Sequence, residues 1–392
     1  MDLGLERAGF EPVACLEINA GARETLATNR PRWPLWGTGD VQLASSSLTP
    51  KELDLKPGQL DLLAGGPPCQ PFSTAAQWSV SGRRGMADKR AGTLHALFDL
   101  ANKFLPKFIL VENVAGFTRG RTSALEVVQE RSSILSRLSE HDYVVETRLI
   151  NAADVGVPQN RIRSITVVRD VSFGWEWPTL THVRQPMTAW DAIHDLADEN
   201  GPASSGKWGE LLPSIPEGAN YQWLTSRGGG EELFGYRTRY WNFLLKLAKS
   251  RPSWTLSASP GPAAGPFHWE NRPLSTRERM RLQSFPDDWN IEGDSVAATA
   301  LVGNATPPLL AEVIGQQIAT RLTGQATDTQ PSLLRSRAPE PPPPTPPAPV
   351  PLKYRGLIGV KGAHEGEGKG PGARQRSLAS AAVTTVGGDE AT

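Results

Sequence analysis

Along the chain, short apolar runs alternate with stretches whose apolar residues recur every three or four positions. Residues 12–17 (PVACLE), 60–64 (LDLLA), 107–112 (KFILVE), 143–150 (YVVETRLI) and 162–169 (IRSITVVR) read as strands, most of them apolar enough to be buried on both faces. Helical spacing lies between several of them. Asn19 is placed to cap a helix over Ala20–Asn29, while residues 93–104 and 124–138 carry apolar positions at helical intervals. This alternation predicts an α/β fold, a doubly wound, mostly parallel sheet covered on both faces. Ligands bind such sheets where strands end in loops, so the turn after residues 60–64 and the loop after Val111-Glu112-Asn113 are expected to face one crevice.

From about Asp170 the texture changes to Trp, Pro, Gly and Ser with little periodicity, which predicts a smaller, loop-rich domain over 170–274. Ser275-Thr276-Arg277-Glu278 then offers a capping box for a new helix. A last helix should follow Pro307-Pro308, run to about Thr323 and stop at Gly324. The expected organisation is residues 1–169 as the first part of the main domain, 170–274 as the loop-rich domain, 275–323 as a return to the main domain, and 324–392 as a tail. Nine of the thirteen residues 339–351 are proline and the rest of the tail is rich in Gly, Ala and Ser, so disorder is expected there.

Composition narrows this picture only a little. The 41 basic residues balance 41 acidic ones, so net charge names no partner. Residues 221–274 are the local exception: seven Lys/Arg (Arg227, Arg237, Arg239, Lys246, Lys249, Arg251 and Arg272) stand against three Glu among several aromatics, a composition that suits nucleic acid. The N-terminus has no apolar run of signal-peptide type, and 18 consecutive apolar residues occur nowhere, so a soluble cytoplasmic protein without membrane contact is expected. Two cysteines, Cys15 and Cys69, make no disulfide framework, and no Cys/His spacing suggests a metal site.

Three places carry candidate chemistry. Cys69 sits in GGPPCQPFS (65–73), where prolines 67, 68 and 71 fix φ and withhold ladder hydrogen bonds, so the thiol is presented on a stiff turn that Gly65 and Gly66 leave open to close approach. Glu112 ends an apolar strand, a costly place for a carboxylate unless it is hydrogen bonded. The arginines of QNRIR (159–163), Arg161 and Arg163, alternate at a strand start.

Taken in order, PPCQPFS (67–73), ENV (112–114), QNRIR (159–163), RERMRLQSFPD (277–287) and GNATPP (303–308) resemble the ordered motifs of the C5-cytosine methyltransferases, over nearly all of residues 1–323. The resemblance implies a class I S-adenosylmethionine-dependent, Rossmann-like fold with residues 170–274 as target-recognition domain. It implies a thiolate of Cys69 adding to cytosine C6, which must be populated near neutral pH. Glu112 would hold the N3 and N4 edge of the base, and Arg163, with Arg161 nearby, its O2. The target base would be flipped out of the duplex, at a cost of about a few kcal/mol. For S-adenosylmethionine, Glu17 would hold the ribose hydroxyls, Ile18 the adenine face and Asp40, with Val41, the adenine amino end. Pro68, Leu94, Asn304 and Ala305 would line the methionine side. Gln70, Ser73, Arg237 and Arg239 are the expected contacts to double-stranded DNA.

The same resemblance implies a bacterial modification enzyme, monomeric, associated with the nucleoid through DNA and paired in function with a cognate restriction endonuclease. The family's glycine-rich first strand has no counterpart, since Met1-Asp2 stands where its turn should finish. A start further upstream, or a DNA-binding relative impaired in catalysis, is the alternative this raises. A tRNA-directed member is a further alternative, although neither cysteine is followed by Phe-Thr.

Overall fold

Strand β1 (Leu62–Gly65) and strand β2 (Phe108–Val114) pair in parallel, and the helix α4 (Gly92–Phe104) lies between them in sequence. The computed structural model of the chain describes residues 1–69, 72, 86, 91–120, 123–196, 206–236, 239–261, 263–325 and 330–357. Within these the sheet runs β1-β2-β4-β3, with β3 at Tyr143–Asn151 and β4 at Ile162–Asp170. The helix α5 (Leu125–Leu138) precedes β3. Three of the four strands point one way, and β4 runs against both of its neighbours. A parallel return needs a crossover of about a dozen residues or more, usually a helix. The link from β3 to β4 holds only a single helical turn, Ala152–Val155, closed by Gly156 at φ 101°, so β4 turns back.

Alternate residues of β2 feed two cores. Phe108 and Leu110 pack with Ile165 and Val167 of β4 under the helix α9 (Pro308–Thr323), whereas Ile109 and Val111 pack under α4 and α5. The sheet is therefore covered on both faces, as the sequence predicts. Helix α1 (Asp2–Arg7) crosses α9 closely: a Cβ on Gly4 would stand 2.1 Å from the Pro308 carbonyl oxygen, and one on Gly315 would stand 2.7 Å from Ala8 Cβ. Asn19 caps α2 (Ala20–Asn29) through Ala22 N–H, as expected. Residues 12–17 do not form the expected strand. Cys15 makes one bridge, to Leu35, exchanging hydrogen bonds with Pro34 and Trp36 at 2.8 and 3.0 Å. With no strand beside it among the described residues, the segment has nothing further to pair with.

The stretch after β4 has short helices and isolated bridges in place of ladders. Helix α6 (Ala189–Ile193) is capped by Thr188, and a cluster around Tyr221, Phe234 and Phe243 forms the local core. So little regular structure leaves backbone carbonyls without partners, and cations supply them. Lys246, 4% exposed, donates to the Ile215 carbonyl at 2.8 Å and to Asn271 Oδ1 at 2.7 Å. Burial, with Lys249 adding to it, pulls its pKa down to about 8. Lys249 pairs with Glu217, and Arg272 with the fully buried Glu278, which also closes the capping box of α7 (Thr276–Leu282). Much of the basic character of residues 221–274 is thus internal stapling.

Residues 330–357 differ from the disorder expected of the tail. They form a strap docked across the molecule. Glu312 of α9 accepts from Ser332 and Leu333 N–H, Arg335 pairs with Asp287, and Arg337 pairs with Asp191. Trp190 Nε1 donates to the Pro339 carbonyl at 2.8 Å, Ser214 donates to the Pro349 carbonyl, and Tyr354 stacks on Trp208 at 5.9 Å with its hydroxyl on the Lys207 carbonyl. Proline-rich chain is already extended and loses little entropy on docking, so few apolar anchors suffice. Leu333, Val350 and Tyr354, all buried, are those anchors. Among the described residues no helix is long and apolar enough to cross a membrane. Removing the Tyr354 ring should destabilise the protein: Tyr354→Ala is expected to cost about 3 kcal/mol by chemical denaturation, and an unchanged midpoint would detach the strap from the fold.

Candidate active site

The directions of β1, β2 and β4 decide what meets at the edge of the sheet. Gly65 pairs with Val111, so β1 and β2 release their loops side by side. Because β4 is antiparallel, its start lies there too, with Arg163 opposite Val114. Glu112, 9% exposed, receives Arg163 Nε on Oε1 at 2.7 Å and the Thr306 hydroxyl on Oε2 at 3.1 Å. The buried carboxylate is therefore held by one cation and one hydroxyl, from β4 and from the loop before α9.

The cysteine turn is fastened to the same edge. Asn113 Nδ2 donates to the Pro67 carbonyl at 2.9 Å, and a Cβ on Gly66 would lie 3.8 Å from Glu112 Oε2. Phe72 N–H closes on the Cys69 carbonyl at 3.0 Å, and the Phe72 ring is buried edge-on against Phe117. Pro68 and Cys69 are half-buried on this turn. Gln70 and Ser73 lie outside the described residues.

Arg161 takes a role different from the expected base contact. It is 2% exposed, and its Nη2 donates to the carbonyls of Gly303 and Ala305 at 2.8 and 3.0 Å, while Nη1 reaches the Leu256 carbonyl. Burial and the charge of Arg163 press its pKa down to about 9, against the pull of Glu112 and Cys69, and it remains a cation at neutral pH. Cys69, Glu112, Arg161 and Arg163 thus share one electrostatic neighbourhood, in which Arg161 is a positioning residue. Gln159, fully buried, continues the lattice: its Nε2 donates to Gln283 Oε1 at 2.6 Å, its Oε1 accepts from Leu256 N–H, and Gln283 Nε2 donates to the carbonyls of Val302 and Ala305. Asn113, Gln159, Gln283 and Thr306 are the site residues that reasoning on the sequence assigned no role. Each lies inside one of the quoted motif segments, and its signal was a polar residue in a stretch otherwise tightly packed.

A second cluster forms where residues 17–18 meet 39–41. Gly39, at φ 81°, lets its backbone press on Glu17, since a Cβ there would fall 1.8 Å from the Glu17 carbonyl oxygen. Arg23 clamps both segments through the carbonyls of Glu17 and Gly37. Glu17 Oε1 accepts from Asn19 N–H, Ile18 is 68% exposed, and Asp40 caps α3 (Val41–Ser47). The start of α2 and the last turn of α8 (Ser295–Asn304) are neighbours, a Cβ on Gly21 lying 3.9 Å from Leu301 Cδ1, which carries Asn304 and Ala305 to the same side. Leu94 departs from its expected place. It is fully buried with Leu97, Phe98 and Val111 and offers no side-chain surface, because α4 turns it into the core.

Residues 1–320 match the family described as C-5 cytosine-specific DNA methylase. The chain belongs to that family. It is 33% identical over 326 residues to the type II methyltransferase M.SacI of Streptomyces achromogenes, covering 77% of this chain and 82% of that one. To the type II methyltransferase M.NgoMIV of Neisseria gonorrhoeae it is 31% identical, covering 82% and 94%. Among solved structures, a prophage-encoded DNA modification methyltransferase from E. coli superposes with a TM-score of 0.58 at 21% identity over 82% of this chain and 95% of that one. The Entamoeba histolytica methyltransferase EhMeth does so with 0.54 at 17% identity, over 81% and 95%. The chain is accordingly a DNA cytosine-5-methyltransferase of the class I fold, and S-adenosylmethionine is its methyl donor. The cluster at residues 17–41 suits that cofactor: the exposed Ile18 between the loop acid Glu17 and the helix-capping Asp40 offers an apolar face for a purine and acceptors for hydroxyl and amino groups.

In this methylase Arg239 is not placed to meet phosphate. Its guanidinium lies over the rings of Trp208, Phe234 and Phe243 at 5.7–5.9 Å, with Nε buried, because the local core is aromatic and attracts a cation. Arg237 lies outside the described residues. Two substitutions should separate holding from positioning. Thr306→Val is expected to keep the fold and to lower kcat/KM about 10-fold by loosening Glu112, whereas Arg161→Met should cost about 3–5 kcal/mol of stability. Steady-state kinetics with thermal denaturation reads both, and normal stability in Arg161→Met would remove the lattice as the support of the site.

Proposed function

We propose that this chain methylates C5 of a cytosine flipped out of a specific duplex sequence, through a covalent adduct at Cys69, as the modification enzyme of a restriction-modification pair. The observation that carries the reading is the buried Glu112, held by Arg163 and Thr306 beside the turn that presents Cys69. Cytosine C5 is a weak nucleophile. Addition of the Cys69 thiolate to C6 breaks the C5–C6 double bond and places the electron pair at C5. Glu112 takes the N3 and N4 edge of the base, accepting from N4–H and sharing a proton with N3, and the N3-protonated ring takes up the electron pair as the sulfur adds. Arg163, already oriented by Glu112, reaches the O2 side. S-adenosylmethionine supplies the electrophilic methyl group, with Glu17, Ile18, Asp40 and Val41 on its adenosine side and Asn304 and Ala305 towards the methionine. Loss of the C5 proton and departure of the thiolate then restore the aromatic ring and the free enzyme.

The protein acts on DNA as a monomer in this reading, and a cognate endonuclease is its partner in function. Bisulfite sequencing of DNA from cells expressing the chain should reveal one methylated sequence. Purified protein should be trapped covalently by duplex containing 5-fluorocytosine, and Cys69→Ser should lose both trapping and methyl transfer while keeping its fold. Trapping by the Cys69→Ser protein would sink the assignment of the nucleophile.

A further inference from the structure

Residues 218–228 together with Trp241 and Leu245 border an open cavity of about 230 Å³ in the loop-rich domain, lined by Asn220, Gln222, Trp223, Arg227 and Trp241 among others. It is smaller than the ~300–1,000 Å³ pockets of drug-sized ligands and suits one ring system or the edge of one base. Its walls are closely packed. Gly228 packs its backbone on the Trp223 carbonyl, and Gly229 and Gly230 pack on the Trp223 indole, where a Cβ would fall 2.1–2.5 Å from the nearest atoms. Asn220 is consumed internally, bonding Gln222 N–H and the Trp241 carbonyl. Two polar groups are not consumed. Among the described residues the Gln222 amide has no hydrogen bond, and the exposed Arg227 guanidinium is held only by the face of Tyr236, at 4.2 Å.

The cavity is also joined to the active site by an aromatic wall. Trp241, 53% exposed, meets Trp254, 37% exposed, edge to face at 5.6 Å. Trp254 is held between Ser253, which exchanges backbone hydrogen bonds with Pro158 and Asn160, and Thr255, whose hydroxyl donates to the Asn160 carbonyl at 2.6 Å. Residues 158–160 lead directly into Arg161 and Arg163. The wall thus reaches from the cavity to the segment that enters β4, where Arg163 meets Glu112.

Resting on the reading of the preceding subsection, we infer that the cavity reads one purine of the recognition sequence, with the Gln222 amide and the Arg227 guanidinium on the base edge and Trp241 against the neighbouring nucleotide. Glutamine and arginine are the side chains whose paired hydrogen bonds match purine edges in the major groove, glutamine on adenine N6 and N7 and arginine on guanine O6 and N7. Phosphate binding would need the cation alone and would leave the amide and the indole walls without a use.

The test is selection of bound sequences from a random duplex library by the full chain, its Gln222→Leu, Arg227→Leu and Gln222→Glu variants, with bisulfite mapping of what each methylates. Wild type should enrich one sequence. Gln222→Leu and Arg227→Leu should each lose discrimination at one purine position by on the order of 10-fold or more, with the other positions kept, and Gln222→Glu should move the preference there towards cytosine. Unchanged preferences, or weaker binding to every sequence with a shallower salt dependence, would overturn the inference, as would a wild type that selects no sequence. A wild type that selects a sequence without methylating it would defeat the proposed function and leave this inference standing.

Discussion

A single buried cation fixes the geometry on which the site depends. Arg161 is almost wholly out of water, and a charge in that position costs several kcal/mol unless its donors are used. Its two terminal nitrogens are used on carbonyls far apart in sequence, at Leu256, Gly303 and Ala305, while Nε is buried without a hydrogen bond among the described residues. The loop before α9 therefore cannot shift without exposing carbonyls and stranding a charge. Thr306, the next residue, inherits that position, and with it the hydrogen bond to Glu112. Gln159 and Gln283 repeat the logic with neutral groups, so the entry to β4, the loop at 256 and the end of α8 form one lattice.

The reversal of β4 is the second constraint. Its short link from β3 forces an antiparallel strand between β2 and β3, and the register then sets Arg163 against Val114 at the edge where the cysteine turn emerges. Had β4 run with its neighbours over the same span, Arg163 would have stood opposite Phe108 instead of Val114, about 20 Å away along the strand. Glu112 would then sit buried with one hydroxyl and no cation. The feature that breaks the parallel pattern is the one that completes the site.

What was legible in the sequence follows the range of the interaction. Local signals read correctly: the Asn19 cap, the Ser275–Glu278 box and the Gly324 stop of α9 all stand where their side chains or φ demanded. Apolar runs located β1 to β4: β2 and β4 are buried along most of their length, and β3, half-exposed at the edge of the sheet, still carries Val144, Val145, Leu149 and Ile150. The run at 12–17 misled, since apolarity does not say that a partner strand lies beside it: only Cys15 is buried there, and Val13 is exposed. Leu94 was assigned to the methionine side by resemblance alone, and α4 turns it into the core. The direction of β4 was hidden because it depends on link length and handedness. The lattice of Gln159, Gln283 and Thr306 was hidden because its partners lie as far as 124 and 194 positions away.

The loop-rich domain shows why charge counting along a sequence is a weak guide to binding. A segment with few ladders must satisfy its carbonyls some other way, and long cationic side chains do this economically because one ammonium or guanidinium serves several acceptors. Lys246 is spent in that way, Lys249 and Arg272 are spent on the carboxylates of Glu217 and Glu278, and Arg239 is drawn into an aromatic core. The proline-rich strap completes the frame from outside, tying α9 to the same aromatic cluster through Tyr354 and Trp208. Frame and strap hold the backbone, and the loops that border the Trp223–Trp241 cavity turn Tyr221, Leu224 and Phe243 into that core while leaving Gln222, Arg227 and Trp241 outside it. Their side chains are therefore free to be chosen for what they meet.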